Sequence, residues 1–550
     1  MKAIKYLLFS AVLIGFTSCN NDNYDYTPDP EPLPELTAGS ADFSNYVAVG
    51  GSFTAGYTDG ALFIASQTNS FPNILNEQFM NIGGGDFTQP LMSDNIGGLL
   101  FNGNQIANPR LFFNGSGPQV LPATPTTEVT NVLSGPFNNM GVPGAKSFHF
   151  VAPGYGNLAG VPIGQANPYF ARMASSASAT VIGDAVAQNP TFFTLSEVGG
   201  NDIIFYATAG GSGVDQTGNF NPATYGGNDI TDPNVFAQVF SSEVTALTSN
   251  GAKGVVTNVP YITSLPHFTT VPFNPLSPLN PSFGPLIPTL NGVFGQLNQV
   301  YIYLQSVGAI NNASERSIEF STDAASAVVI KDETLADISA QITGVLNASP
   351  TFPAFVQSFG LPAAAAPLVA NLFGTIYGQT RQATASDLFV LPSSTIIGTV
   401  NTTTFAYLQS LGLSAALAGQ FSVEGVTNPL EDKWVLIPSE QLAIKTATDA
   451  YNVTIASVAS ANGLALVDLK GLLEQASSTG ISDSGFTLTT KLVLGGLVSL
   501  DGIHLTARGY AALANKFLEA IDTTYGSNFI AAGVKANVGN YPTNYSFDLR

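Results

Sequence analysis

Short apolar runs that stop at glycine, proline or aspartate punctuate this chain. Tyr46-Val47-Ala48-Val49 stops at Gly50-Gly51-Ser52, and residues 192–198 stop at Gly199-Gly200. Gly254-Val255-Val256-Thr257-Asn258-Val259 stops at Pro260, and Leu464-Ala465-Leu466-Val467 stops at Asp468. Apolar runs this short, with little polar alternation, predict strands buried on both faces. Helical spacing appears elsewhere. Leu442, Ile444, Ala447, Tyr451, Ile455 and Val458 recur near a 3.6-residue period, with Ser439 placed to cap a helix running to about Ala461. Behind Thr506, a second candidate cap, Tyr510, Leu513, Phe517 and Ile521 share one face. Buried strands alternating with helices predict an α/β fold, a parallel sheet covered on both sides. Ligands of such sheets bind outside the carboxyl ends of the strands.

Residues 266–432 interrupt that rhythm. Proline and phenylalanine crowd the first part, and later stretches read as Ala-rich helices, so the segment is a large, mainly helical insertion. Leu304-Gln305-Ser306-Val307-Gly308, Val356-Gln357-Ser358-Phe359-Gly360 and Leu408-Gln409-Ser410-Leu411-Gly412 each read as a helix end with glycine at the C-cap. Because the insertion leaves the sheet after a strand, it is expected to shape the substrate side. Phe268, Phe273, Phe283, Phe294, Phe352, Phe355, Phe359 and Phe373 are its candidates for an apolar wall.

The N-terminus changes the picture of where the domain works. Lys2 and Lys5 precede an apolar run over residues 6–16, too short to span a bilayer of about 20 helical residues. Phe16-Thr17-Ser18-Cys19 follows and resembles a bacterial lipobox, whose cysteine becomes a lipidated N-terminus. Residues 1–19 are therefore expected to be a lipoprotein signal peptide and Cys19, the only cysteine, the lipid anchor. Residues 20–40, polar and Pro-rich, read as a flexible tether. The first part of the domain then occupies 41–265, and the second part with the C-terminal tail 433–550. An exported lipoprotein at the outer membrane or surface of a Gram-negative bacterium is the expected setting.

Of the 550 residues only 10% are charged, with 17 Lys and Arg against 37 Asp and Glu, for a net charge of -20. Nucleic acid is not an expected partner, because phosphate recognition needs clustered cations. A hydrophobic content of 45% suffices for a large core. One cysteine allows no disulfide within the chain.

Candidate chemistry sits at the ends of the apolar runs. Ser52 follows the first, Asn201 the second, and Asp501-Gly502-Ile503-His504 precedes the last helix. A serine hydroxyl is a weak nucleophile until a base takes its proton. His504 is the candidate base, and Asp501, three residues earlier, would fix the imidazole tautomer. His149 and His267 lack such a motif and read as structural. Glu197 receives no catalytic role.

Four blocks in order carry a resemblance: Gly50-Gly51-Ser52-Phe53, Asn139-Met140-Gly141-Val142-Pro143-Gly144-Ala145, Gly199-Gly200-Asn201-Asp202, and Asp501-Gly502-Ile503-His504. Together they resemble the SGNH, or GDSL-type, serine hydrolases, over roughly residues 45–521 without much of the insertion. Gly51 stands where the family has aspartate and Phe53 where it has leucine. The resemblance implies a flavodoxin-like three-layer α/β/α fold and hydrolysis of a carboxylic ester through an acyl-enzyme on Ser52. It also implies an oxyanion hole built from the Ser52 and Gly144 N–H groups and the Asn201 amide, with no metal or cofactor. The substrate is expected to be a lipid, another acyl ester or an acetylated glycan. An alternative is a catalytically weak surface lipoprotein that binds glycan or lipid in the same cleft.

Overall fold

A computed structural model describes residues 32–550, so Cys19 and the signal segment lie outside the described residues. At its centre is a five-stranded, all-parallel sheet: β1 (Tyr46–Gly50), β2 (Asn139–Gly141), β3 (Phe192–Ser196), β4 (Lys253–Thr257) and β5 (Ala465–Val467). The spatial order is β2-β1-β3-β4-β5, with Tyr46 opposite Phe192, Ala48 opposite Asn139, and Val255 opposite both Thr194 and Ala465. This 2-1-3-4-5 order is one of the two common orders of doubly wound sheets, and its direction reverses between β1 and β3.

Alternate residues of each strand serve opposite cores. Val47, Val49, Phe193, Leu195 and Val256 face one side, where the helices Asn201–Thr208, Pro233–Thr248 and Pro438–Ala461 cover them. Tyr46, Ala48, Phe192, Val255 and Ala465 face the other, under the helices Phe71–Phe79, Leu469–Ser478 and Ala507–Tyr525. Burial on both faces is why the strands read as near-continuous apolar runs. Strand β2 escapes that pattern, since its three residues Asn139, Met140 and Gly141 carry no run at all.

Helix ends follow the expected chemistry in part. Thr506 caps Ala507–Tyr525, its hydroxyl accepting the Gly509 N–H at 2.9 Å. Ser439, however, lies inside the helix Pro438–Ala461 and is not its cap. Pro438 takes the first position, where a missing N–H costs nothing, and the Glu440 carboxylate reaches back to the Ile437 N–H at 2.8 Å. Gly308, Gly360 and Gly412 all adopt the left-handed conformation just past helices that end at Ser306, Gln357 and Ser410. The three echoing segments are thus three helix stops of one type.

The insertion builds a hydrophobic core of its own. Phe283 and Phe294 meet Val329, Ile330, Phe352, Phe373 and Tyr377 there, and Phe273, Phe355 and Phe359 pack against it. Phe268 goes instead into the core of the sheet domain. A buried Arg381 pairs with Asp332 at 2.6 Å and with Asp387 at 2.7 Å, tying two strands of the insertion to the loop that follows. Trp434 packs against both cores at the point of return.

Candidate active site

The cleft lies where the sheet order reverses, outside the carboxyl ends of β1 and β3. Chain leaving β1 turns at once into a single helical turn, Ser52–Ala55, which lifts the Ser52 hydroxyl into the cleft. Two neighbours fix that turn. The Asn139 amide donates to the Thr54 carbonyl at 2.9 Å, and β2 approaches so closely that a Cβ at Gly141 would stand 2.3 Å from the Ala55 nitrogen. No other residue fits there.

Ser52, His504 and Asp501 form a continuous hydrogen-bonded chain. Ser52 Oγ lies 2.9 Å from His504 Nε2, and His504 Nδ1 lies 2.8 Å from Asp501 Oδ2. The Asp501 carboxylate also accepts the N–H groups of Gly60, Ile503 and His504, each at 2.9 Å, and the Ser499 hydroxyl at 3.0 Å. Burial alone would raise its pKa. The adjacent imidazole and these donors outweigh burial and hold the carboxyl well below the ordinary aspartate range. Tyr57 and Phe53 flank the imidazole, with ring centres 4.7 and 5.7 Å away.

The expected oxyanion donors line the same cavity, whose volume is about 370 Å³. Gly144 sits there with φ +81, a backbone conformation that suits glycine. Asn201 opens the helix Asn201–Thr208, and its amide donates to the Ala145 carbonyl at 2.8 Å. Asp202 locks the two segments together by accepting the Ser147 N–H at 2.9 Å and the Ser147 hydroxyl at 2.7 Å. The Ser52 and Gly144 N–H groups donate to no protein acceptor among the described residues. Asp501 lies behind the cavity wall.

Two further carboxyls support this geometry: Glu197, which the sequence singled out without a catalytic role, and Asp59, which it did not single out. Glu197, at φ +50, turns its side chain under the nucleophile turn, where Oε1 accepts the Thr54 N–H at 3.0 Å and Oε2 the Ser196 hydroxyl at 3.0 Å. A Cβ at position 51 would stand 3.2 Å from Glu197 Oε1, so Gly51 leaves room for this carboxyl. Burial raises it to about 7 against the opposing pull of its donors. Asp59 is the second. It is buried, and its Oδ1 accepts the Leu500 N–H at 3.0 Å while its own N–H donates to Ser499 Oγ at 3.1 Å. Burial, and then the negative Asp501 nearby, raise its carboxyl to about 7 despite the Leu500 donor and Arg110. The left-handed pair Asp59-Gly60 was the available signal, since Asp-Gly marks a tight turn.

The remaining histidines do not line this cavity. His149 accepts the Lys146 N–H at 3.0 Å and stacks on Tyr155, and burial lowers its pKa to about 4. His267 is buried behind the loop bearing Asp501 and His504, where its backbone N–H donates to the Gly502 carbonyl at 3.0 Å.

The apolar wall is not where sequence placed it. Among the described residues, none of 266–432 lines the cavity beside Ser52, and the eight phenylalanines are committed to the two cores. The wall comes from the sheet domain itself, from the segments that follow β3, β4 and β5. One cluster of carboxylates, Glu333, Asp432 and Glu440, is close enough to share a cation, with ligand atoms within 4.8 Å, but none of the three borders this cavity.

No family model, no curated protein and no solved structure matches this chain.

Asp59 makes the support of the loop bearing Asp501 and His504 measurable. Its carboxyl titrates near the ordinary aspartate value in the unfolded chain and near 7 in the folded protein, so the folded state holds the extra proton between them. The stability this contributes is complete below the unfolded value and is lost as pH rises towards 7, by at most about 1.4 kcal/mol per pH unit. Asp59→Asn, which keeps an acceptor for Leu500, should therefore lose less stability between pH 4 and pH 7 than the parent, read from urea unfolding. Parallel pH dependences would contradict a protonated Asp59.

Proposed function

We propose that this chain is a serine hydrolase of the SGNH type that cleaves carboxylic esters through an acyl-enzyme on Ser52. The observation that carries the reading is the Ser52–His504–Asp501 chain, at 2.9 and 2.8 Å, opening into a cavity shared with Gly144 and Asn201. The four sequence blocks and the 2-1-3-4-5 parallel sheet support it.

In this mechanism Ser52 Oγ attacks the ester carbonyl carbon as its proton passes to His504 Nε2. The electron pair of the carbonyl double bond moves onto oxygen. That oxyanion accepts hydrogen bonds from the Ser52 N–H, the Gly144 N–H and the Asn201 amide, donors each worth about 10²–10³ in rate when removed singly. Asp501 holds the Nδ1 proton and stabilises the imidazolium without taking the proton. Collapse of the intermediate breaks the bond to the alcohol oxygen, which leaves with the Nε2 proton. Water then repeats the sequence on the acyl-enzyme, giving the acid and free Ser52.

The substrate-facing domain is proposed to hang from a lipid on Cys19 at the outer membrane or cell surface. The tether is shorter than the expected 20–40, because residues 35–40 are docked on the domain. The Thr37 N–H donates to Asn528 Oδ1 at 2.7 Å, the Ser40 N–H to the Tyr525 carbonyl at 2.8 Å, and Leu36 and Ala38 pack on its core. The lipid anchor rests on the sequence pattern alone.

A fluorophosphonate probe should label the folded protein on Ser52, mapped by peptide mass spectrometry, and Ser52→Ala should abolish both labelling and ester turnover while the protein stays folded. Labelling at another residue, or turnover that survives in Ser52→Ala, contradicts the assignment.

Cys19→Ser should abolish incorporation of labelled fatty acid and move the protein out of the membrane fraction. A variant that stays with the membrane would show that something other than Cys19 anchors it.

A further inference from the structure

We infer that the cavity beside Ser52 is built for a long, unbranched acyl chain, an inference that rests on the ester-hydrolase reading and names its substrate class. From Ser52, at the end of β1, the cavity runs across the carboxyl ends of the next three strands. Phe205 follows β3, Ile262 and Leu265 follow β4, and Leu472 and Leu473 follow β5, with Leu513 opposite on the helix Ala507–Tyr525. Three inter-strand spacings amount to about 14 Å. This arm of the cavity is a trough across the strand ends, and on the other side of Ser52 the cavity continues to Pro143, Gly144 and Tyr169.

Its chemistry favours an apolar group over a sugar along that arm. A glycan needs several convergent hydrogen-bonding groups. Away from the catalytic residues the arm offers Thr208 and Lys516, and both are engaged. The Thr208 hydroxyl donates to the Ile204 carbonyl at 2.9 Å, and the Lys516 ammonium lies 2.8 and 2.9 Å from the Glu519 carboxylate. An acetyl group would leave most of this apolar surface against water, whereas an aliphatic chain covers it. Size sets the length. Taking a methylene as roughly water-sized, about 30 Å³, the whole 370 Å³ cavity, its catalytic end included, sets an upper bound on the order of ten such groups.

Helix Leu469–Ser478 supplies the far wall. Leu469, Leu472 and Leu473 occupy one side of it, while Glu474, Gln475, Ser477 and Ser478 are exposed. Residues 472 and 473 are therefore the positions where added bulk shortens the trough without touching the Ser52–His504–Asp501 chain.

The test is kcat/KM for 4-nitrophenyl acetate, butyrate, octanoate, decanoate and palmitate with the purified protein. Rates should rise by up to about fourfold per methylene from acetate, peak between octanoate and decanoate, and fall for palmitate. Leu472→Trp and Leu473→Trp should each lower the decanoate-to-butyrate ratio at least tenfold, a ratio that any folded fraction reports. A peak at acetate, with octanoate at least tenfold slower, overturns the acyl inference and leaves ester hydrolysis standing. Should no ester turn over, the hydrolase reading fails, and calorimetric titration with decanoate decides the rest. Saturable binding weakened by Leu473→Trp supports the acyl trough, and absence of binding overturns it.

Discussion

The Asp501 carboxylate is the interaction on which the rest of the site depends. It reaches across 441 positions to the Gly60 N–H of the N-terminal block, which meets the His504 ring from the C-terminal block on the same pair of oxygens. With Ser499, Ile503 and the His504 N–H also donating, its rotamer is fixed from five directions. Charge-assisted hydrogen bonds of this kind contribute about 1.5–3 kcal/mol each, which offsets the cost of keeping a buried carboxyl ionised. The imidazole inherits that rigidity and places Nε2 on Ser52. Asp59 stands behind, closing the contact between the Tyr57–Gly60 turn and the loop before the last helix.

Around this clamp the sheet does the positioning. Reversal of strand order between β1 and β3 opens a gap at their carboxyl ends. Ser52 enters from one side and Glu197 and Asn201 from the other. Asp202 then couples the Asn201 helix to the segment bearing Gly144, which fixes both candidate oxyanion donors relative to each other. The insertion acts from behind. Gly502 packs so tightly on it that a Cβ would stand 2.9 Å from the His267 nitrogen and 3.3 Å from Leu391. Its contribution is to brace the loop carrying Asp501 and His504.

What was legible in the sequence follows from the same physics. Strands buried on both faces leave uninterrupted apolar runs, so β1, β3, β4 and β5 could be read, together with the candidate residues Ser52 and Asn201 just beyond two of them. Strand β2 could not, because Asn139 spends its side chain on the Thr54 carbonyl and Gly141 exists to let backbones touch. Asp59 was opaque for another reason. Its carboxyl is held by a backbone N–H 441 residues away, and a backbone donor has no letter in the sequence; the same holds for the Thr54 N–H on Glu197, 143 residues away. The phenylalanines of the insertion misled because an aromatic residue looks alike in a private core and in a ligand wall. Only the path of the chain distinguishes the two, and that path gives the wall to Ile262, Leu265, Leu472 and Leu473.

If Asp501 works solely by holding His504, the two residues form one functional unit. The most direct test is a double-mutant cycle on kcat/KM for one ester, with Asp501→Ala, His504→Ala and the combined variant, each checked for folding. The account predicts that the double variant is no more than a few-fold slower than His504→Ala alone, since an aspartate without its imidazole has nothing to orient. Losses that multiply would contradict it.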